Sequence, residues 1–125
     1  MNLFELTKDF TDAFNRDDLD GVMAFFSEDA VYDQFDGSQA RGLADIRAAF
    51  EPQFRGEFGT IRFHEEDVFV DLEAHKVLTR WTCTFENQGG KAGWRGLDIL
   101  HFVDGRITYK GTYAKAETLK LENAG

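Results

Sequence analysis

A chain of 125 residues, 42% hydrophobic and 30% charged, has the material for one ordinary globular domain that buries roughly two thirds of its unfolded surface. Its 14 basic and 23 acidic residues leave a net charge of -9 with no Lys/Arg cluster, which argues against nucleic acid and against an anionic membrane surface, since both demand concentrated positive charge. The single cysteine, Cys83, excludes an internal disulfide and a thiolate-cluster metal site.

The opening residues lack the basic and apolar regions of a signal peptide, and no run reaches transmembrane length, so a cytoplasmic protein is expected. Leu3, Leu6, Phe10, Ala13 and Phe14 recur at helical spacing and predict a first helix over residues 2–16. Asp17-Asp18 offers an N-cap for a second, short helix carrying Leu19, Val22, Met23 and Phe26, with Ser27 to Asp29 ending it. Ala30 to Gln34 suits a strand, and Phe35-Asp36-Gly37-Ser38 is a loop by its turn residues. After Gly42, the spacing of Leu43, Ile46, Phe50 and Phe54 predicts a third helix that ends or kinks near Pro52, and Gly56 and Gly59 release the chain.

From Thr60 the apolar period changes to two. Thr60 to Leu72 and Lys76 to Glu86 read as long strands joined by a turn at Glu73-Ala74-His75, with Val77, Thr79, Trp81, Cys83 and Phe85 on one face. A flexible loop is expected over residues 87–91, and a polar tail over residues 115–125. Between them, residues 93–114 form two alternating runs about Asp104-Gly105, a dipeptide suited to a type I′ hairpin. Three helices followed by a four-strand antiparallel meander, with one early strand free to join its edge, give an α+β fold. A strongly curved, mainly antiparallel sheet with the helices over its concave face forms a cone with an apolar pocket.

Asp98 is the chemical oddity. Period-two geometry places it on one face with Leu100 and Phe102, so a carboxyl group points where apolar side chains point. Desolvation of such a group favours its neutral form, which can donate a hydrogen bond to an oxyanion; the alternatives are an ion pair with a group such as Arg80 or Arg95, or a side chain that simply faces solvent. His64-Glu65-Glu66-Asp67 alternates faces in a strand and makes no metal site, and His101 is opposite in parity to Asp98. Asp36 is a turn former, and Cys83 reads as a small buried residue.

The element order resembles the nuclear transport factor 2-like superfamily, and within it the SnoaL-like and ketosteroid isomerase-like branch, over nearly the whole chain. The resemblance is carried by Ala13-Phe14-Asn15-Arg16-Asp17-Asp18-Leu19, by Phe26 to Tyr32, by Arg41 to Ile46, and by Gly96-Leu97-Asp98-Ile99-Leu100-His101-Phe102 through Asp104-Gly105-Arg106-Ile107 to Tyr113. It implies that Asp98 matches the branch's oxyanion-binding acid, that Phe10 stands where the branch has a tyrosine, and that Gln34 stands at the general-base place with Asp33 just before it. A one-residue slip turns a strand side chain to the other face, so Asp33 reaches the pocket only where the strand ends or bulges first. The acid that the branch's epoxide hydrolases need late in the chain would fall near Thr112.

The expectation is therefore one domain over residues 1–125 that binds a mostly apolar, carbonyl-bearing small molecule, with isomerase or cyclase chemistry by proton transfer and no cofactor or metal. Asp98 and Asp33 are its candidate catalytic residues. Phe10, Phe14, Phe26, Tyr32, Gln34, Phe50, Trp81, Trp94, Leu100, Phe102 and Tyr113 are its candidate pocket lining. The alternative is a non-catalytic binding or assembly module on the same fold. Leu97, Ile99 and Val103, on the face opposite Asp98, predict a homodimer through the outer sheet face.

Overall fold

A computed structural model describes residues 2–115. Asn2 caps the first helix, α1 (Leu3–Asn15), by accepting from the Glu5 N–H, and Leu3, Thr7, Phe10, Ala13 and Phe14 are its buried stripe. Asp18 caps α2 (Leu19–Met23), and then the chain straightens at once into β1 (Phe26–Asp33). The expected helix end at residues 26–29 is thus the start of a strand. Phe26 satisfies both readings, since it follows Leu19 and Val22 at helical spacing and alternates with Ala30 and Tyr32, all three being buried.

A short strand absent from the sequence reading, β2 (Gln39–Arg41), pairs antiparallel with β1 across the expected loop, Tyr32 opposite Ala40. Helix α3 (Leu43–Phe54) contains Pro52 and stops two residues beyond it. The meander follows as β3 (Thr60–Asp71), β4 (Lys76–Asn87), β5 (Gly90–Val103) and β6 (Arg106–Ala114). One six-stranded sheet results, in the order β2-β1-β6-β5-β4-β3, with β1 parallel to β6 and every other pair antiparallel.

At the β5–β6 turn Asp104 and Gly105 have φ of 49° and 76°, the two positive values a type I′ turn demands, and Val103 faces Arg106 across it. The loop expected over residues 87–91 is instead a tight hairpin. Asn87 pairs with Gly90, and the Asn87 side chain accepts the Gly89 N–H at 2.8 Å, so β4 and β5 continue almost to their meeting point.

Three irregularities interrupt the sheet, the first in the β1–β6 pairing between Phe26 and Val31. Glu66 is an extra residue between the Glu65–Trp81 and Asp67–Arg80 pairs, and Thr108 is an extra residue between the Ile107–Phe102 and Tyr109–His101 pairs. The helices lie against the concave face, where α1 Phe10 and Phe14 pack edge-to-face with Phe25, Phe26, Phe50 and Phe63. Leu100, Ile107, Val77 and Ile46 complete this buried core. No helix among the described residues is long and apolar enough to cross a membrane.

Candidate functional site

Between α1, α3 and the concave face, the core opens into a cavity of about 640 Å³. Phe10 and Phe14 of α1, Phe50 of α3, Phe63 of β3 and Phe85 of β4 are its walls. Phe35, Phe58 and Trp94 also line it while remaining 56%, 53% and 39% exposed, which marks them as its mouth.

At the inner end the walls give way to a polar cluster on three adjacent strands. Asp98 on β5 is 7% exposed and Lys110 on β6 is 5% exposed, and Lys110 Nζ lies 2.9 Å from Asp98 Oδ1. The Thr112 hydroxyl donates to the same oxygen, and Trp81 Nε1 of β4 donates to Asp98 Oδ2 at 3.1 Å. Lys110 also donates to Thr112 Oγ1 at 2.7 Å and stands 4.5 Å over the centroid of the Tyr32 ring, which stacks on Phe50 at 4.8 Å. Gly96 permits this arrangement, because a Cβ there would fall 2.5 Å from the Trp81 ring. The indole can therefore lie across β5 and aim its N–H at Asp98.

The electrostatics follow from the pair. Burial pulls the Lys110 pKa down, but the charge of Asp98, the Tyr32 hydroxyl and the hydrogen bonds to both together outweigh this and hold the ammonium above its ordinary value. A lysine kept protonated at neutral pH is no nucleophile; it is a hydrogen-bond donor and a positive charge. Asp98, acceptor to Lys110, Thr112 and Trp81, has an ammonium beside it rather than the wholly apolar surroundings expected from its neighbours in sequence. The arginines considered as partners lie elsewhere, Arg80 and Arg95 both pairing with Glu66. Cys83 also lines the cavity, its thiol pushed up to about 12 by burial.

The other candidates divide. Phe10, Phe14, Tyr32, Gln34, Phe50, Trp81 and Trp94 line the cavity together with Asp98. Phe26, Leu100 and Phe102 do not; they sit in the packed core. Tyr113 is 56% exposed on the convex face. Asp33 is also turned away from the cavity, accepting from the Tyr109 hydroxyl at 3.0 Å, while its neighbour Gln34 lines it. Pairing with β2 and β6 is regular from Val31 to Asp33, the last residue of β1, and Tyr32 and Gln34 on either side of Asp33 line the cavity, so no bulge swings Asp33 inward and the base role given to it has no geometry here.

Lys110 was missed for a definable reason. Strict alternation from Ile107 puts Tyr109 and Tyr113 inward with it and Lys110 and Thr112 outward, and the bulge at Thr108 reverses that parity. The only sequence signal was a lysine in the middle of a strand, two residues before Thr112. No group of His, Cys, Asp and Glu able to hold a metal occurs among the described residues.

Comparison with known proteins agrees with this architecture. A family model described as SnoaL-like domain matches residues 7–110. A solved structure of a candidate polyketide cyclase from Xanthomonas campestris pv. campestris superposes with a TM-score of 0.74 at 24% identity, covering 89% of this chain and 88% of that one. AclR, a candidate hydroxylase from Streptomyces galilaeus, gives 0.77 at 21% identity over 90% and 88% of the two chains. A protein of unknown function with a cystatin-like fold, also from Xanthomonas campestris, gives 0.79 at 18% identity over 94% and 93%. At these identities the likeness is one of fold. Among curated proteins, none matches the sequence significantly.

Proposed function

Since the chain belongs to the SnoaL-like domain family, its model spanning residues 7–110, we propose that the cavity binds a mostly apolar, carbonyl-bearing small molecule and holds it without converting it. The observation that carries this reading is the division of one cavity into aromatic walls and a donor-bearing floor, which suits a flat apolar body ending in an oxygen acceptor. What favours binding over turnover is the position of the bases. Gln34, the residue beside the cavity, cannot accept a proton at neutral pH, and Asp33 is bonded to Tyr109 on the other face. Native mass spectrometry of the protein purified from its own host tests the reading. A mass increment lost on denaturation, belonging to a carbonyl compound, supports it; a purely polar or phosphorylated ligand contradicts it.

A second reading, cofactor-independent isomerisation or cyclisation by proton transfer, is favoured by the carboxylate and ammonium of Asp98 and Lys110 lying together inside the cavity. Conversion of the retained ligand over time, lost in Asp98→Asn, would select it. With either reading goes a homodimer through the convex sheet face, where Phe69 and Val103 are exposed beside Leu78, Leu97 and Ile99.

A further inference from the structure

The floor of the cavity has a donor surplus. Asp98 is the acceptor-rich member, and its two oxygens already take Lys110, Thr112 and Trp81. Lys110 has three N–H bonds to give, of which one goes to Asp98 and one to Thr112; the Tyr32 hydroxyl is its other oxygen partner and keeps an O–H of its own to give, and among the described residues no second carboxylate and no backbone carbonyl bonds the ammonium. Beside it lie the Tyr32 and Phe50 rings, at 4.5 and 5.8 Å from the nitrogen, which attract an ammonium more weakly than an oxygen does. A ligand oxygen reaching the floor therefore meets a donor, and the donor is charged.

Charge also restricts how the ligand arrives. The protein carries -9 overall and the cavity is walled by phenylalanines, so a preformed anion is repelled at long range and loses its hydration along the way. A hydroxyl compound enters neutral and meets neither penalty. Resting on the binding reading above, we propose that the ligand presents an ionisable hydroxyl, a phenol or an enol, to Lys110, releases that proton to solvent and is held as the oxyanion. Lys110 is then the specificity-determining residue, and Asp98 is a positioning residue that keeps the ammonium charged and in place.

The test uses 4-nitrophenol, its methyl ether 4-nitroanisole, and 4-nitrobenzoate, each titrated into the purified protein while the fluorescence of Trp81 and Trp94 and the visible phenolate band are recorded. The proposal expects nitrophenol to bind about tenfold or more tightly than its ether, and its phenolate band to appear about one pH unit or more below the value for the free phenol. The paired variant Asp98→Asn with Lys110→Met, which removes both charges together, should bind phenol and ether alike and show no shifted band. Equal affinity of phenol and ether for the wild type, or a phenol bound with its proton retained, overturns the proposal while leaving the cavity as a binding site. Tighter binding of nitrobenzoate than of nitrophenol overturns it too, in favour of preformed anions. Failure of all three compounds to alter the tryptophan fluorescence removes the binding reading together with the proposal. The wild-type comparison decides the matter even where the variant does not fold.

Discussion

Asp98 and Lys110 are each almost wholly buried, and such a pair is most sensitive to losing one partner. Asp98→Asn leaves an unneutralised ammonium in the core and should cost about 3–5 kcal/mol in denaturant unfolding, whereas Asp98→Asn with Lys110→Met should recover much of that loss. A single variant as stable as the wild type would mean that the pair contributes little. The pH dependence has a definite sign. Because the Lys110 pKa is raised on folding, its contribution is fully present below the ordinary lysine value of 10.5 and is lost as pH rises through the higher folded value. Stability followed through that alkaline range should therefore fall more in the wild type than in the paired variant. Cys83, with its thiol held at about 12, should react with a thiol reagent at neutral pH far more slowly in the native protein than in the unfolded chain, which a timed labelling assay of both states measures. The acid of this site was legible from the sequence because a carboxyl among apolar strand residues is an anomaly. Its basic partner was not legible, because parity along the strand gave the wrong face.

The elements show why. Helical stripes and strand alternation located α1, α3 and the meander, and Asp104-Gly105 adopts the turn its residue types demand. What escaped were features set by pairing rather than by pattern: the three-residue β2, which exists only against β1, and the bulge at Thr108, which adds one residue to β6. Deleting Thr108 would remove the extra residue while leaving Lys110 opposite Leu100 and Thr112 opposite Asp98, both still inward by regular alternation from Ile107, so retained cooperative thermal unfolding is the expected outcome of that deletion, and its loss would mean that the bulge itself is required. A second probe is Gly96→Ala. Its Cβ would fall 2.5 Å from the Trp81 ring and 2.6 Å from the Tyr113 carbonyl oxygen, and the clash should cost about 1–3 kcal/mol and alter the tryptophan emission as the indole leaves Asp98. Unchanged emission would mean that the indole is not held by this close approach.

At the scale of the whole molecule, one curved sheet has two faces with different fates. The concave face is covered by helices except where the cavity opens, and the convex face carries Phe69, Val103 and Tyr113 in the open at 64%, 55% and 56% exposure. Light scattering should give twice the mass of the 125-residue chain, and Ile99→Lys on that face should halve it without unfolding the protein. A wild-type monomer at micromolar concentration would contradict the dimer. The central claim concerns the other face, and the protein contains its own reporter, since both of its tryptophans, Trp81 and Trp94, line the cavity. The most direct measurement is a fluorescence titration with an apolar aromatic ketone, run on the wild type and on Ala49→Phe, which places a ring in the cavity from α3. A saturable change in the wild type that Ala49→Phe weakens or abolishes is the predicted result. A change that never saturates, or that Ala49→Phe leaves untouched, would contradict the cavity as the binding site.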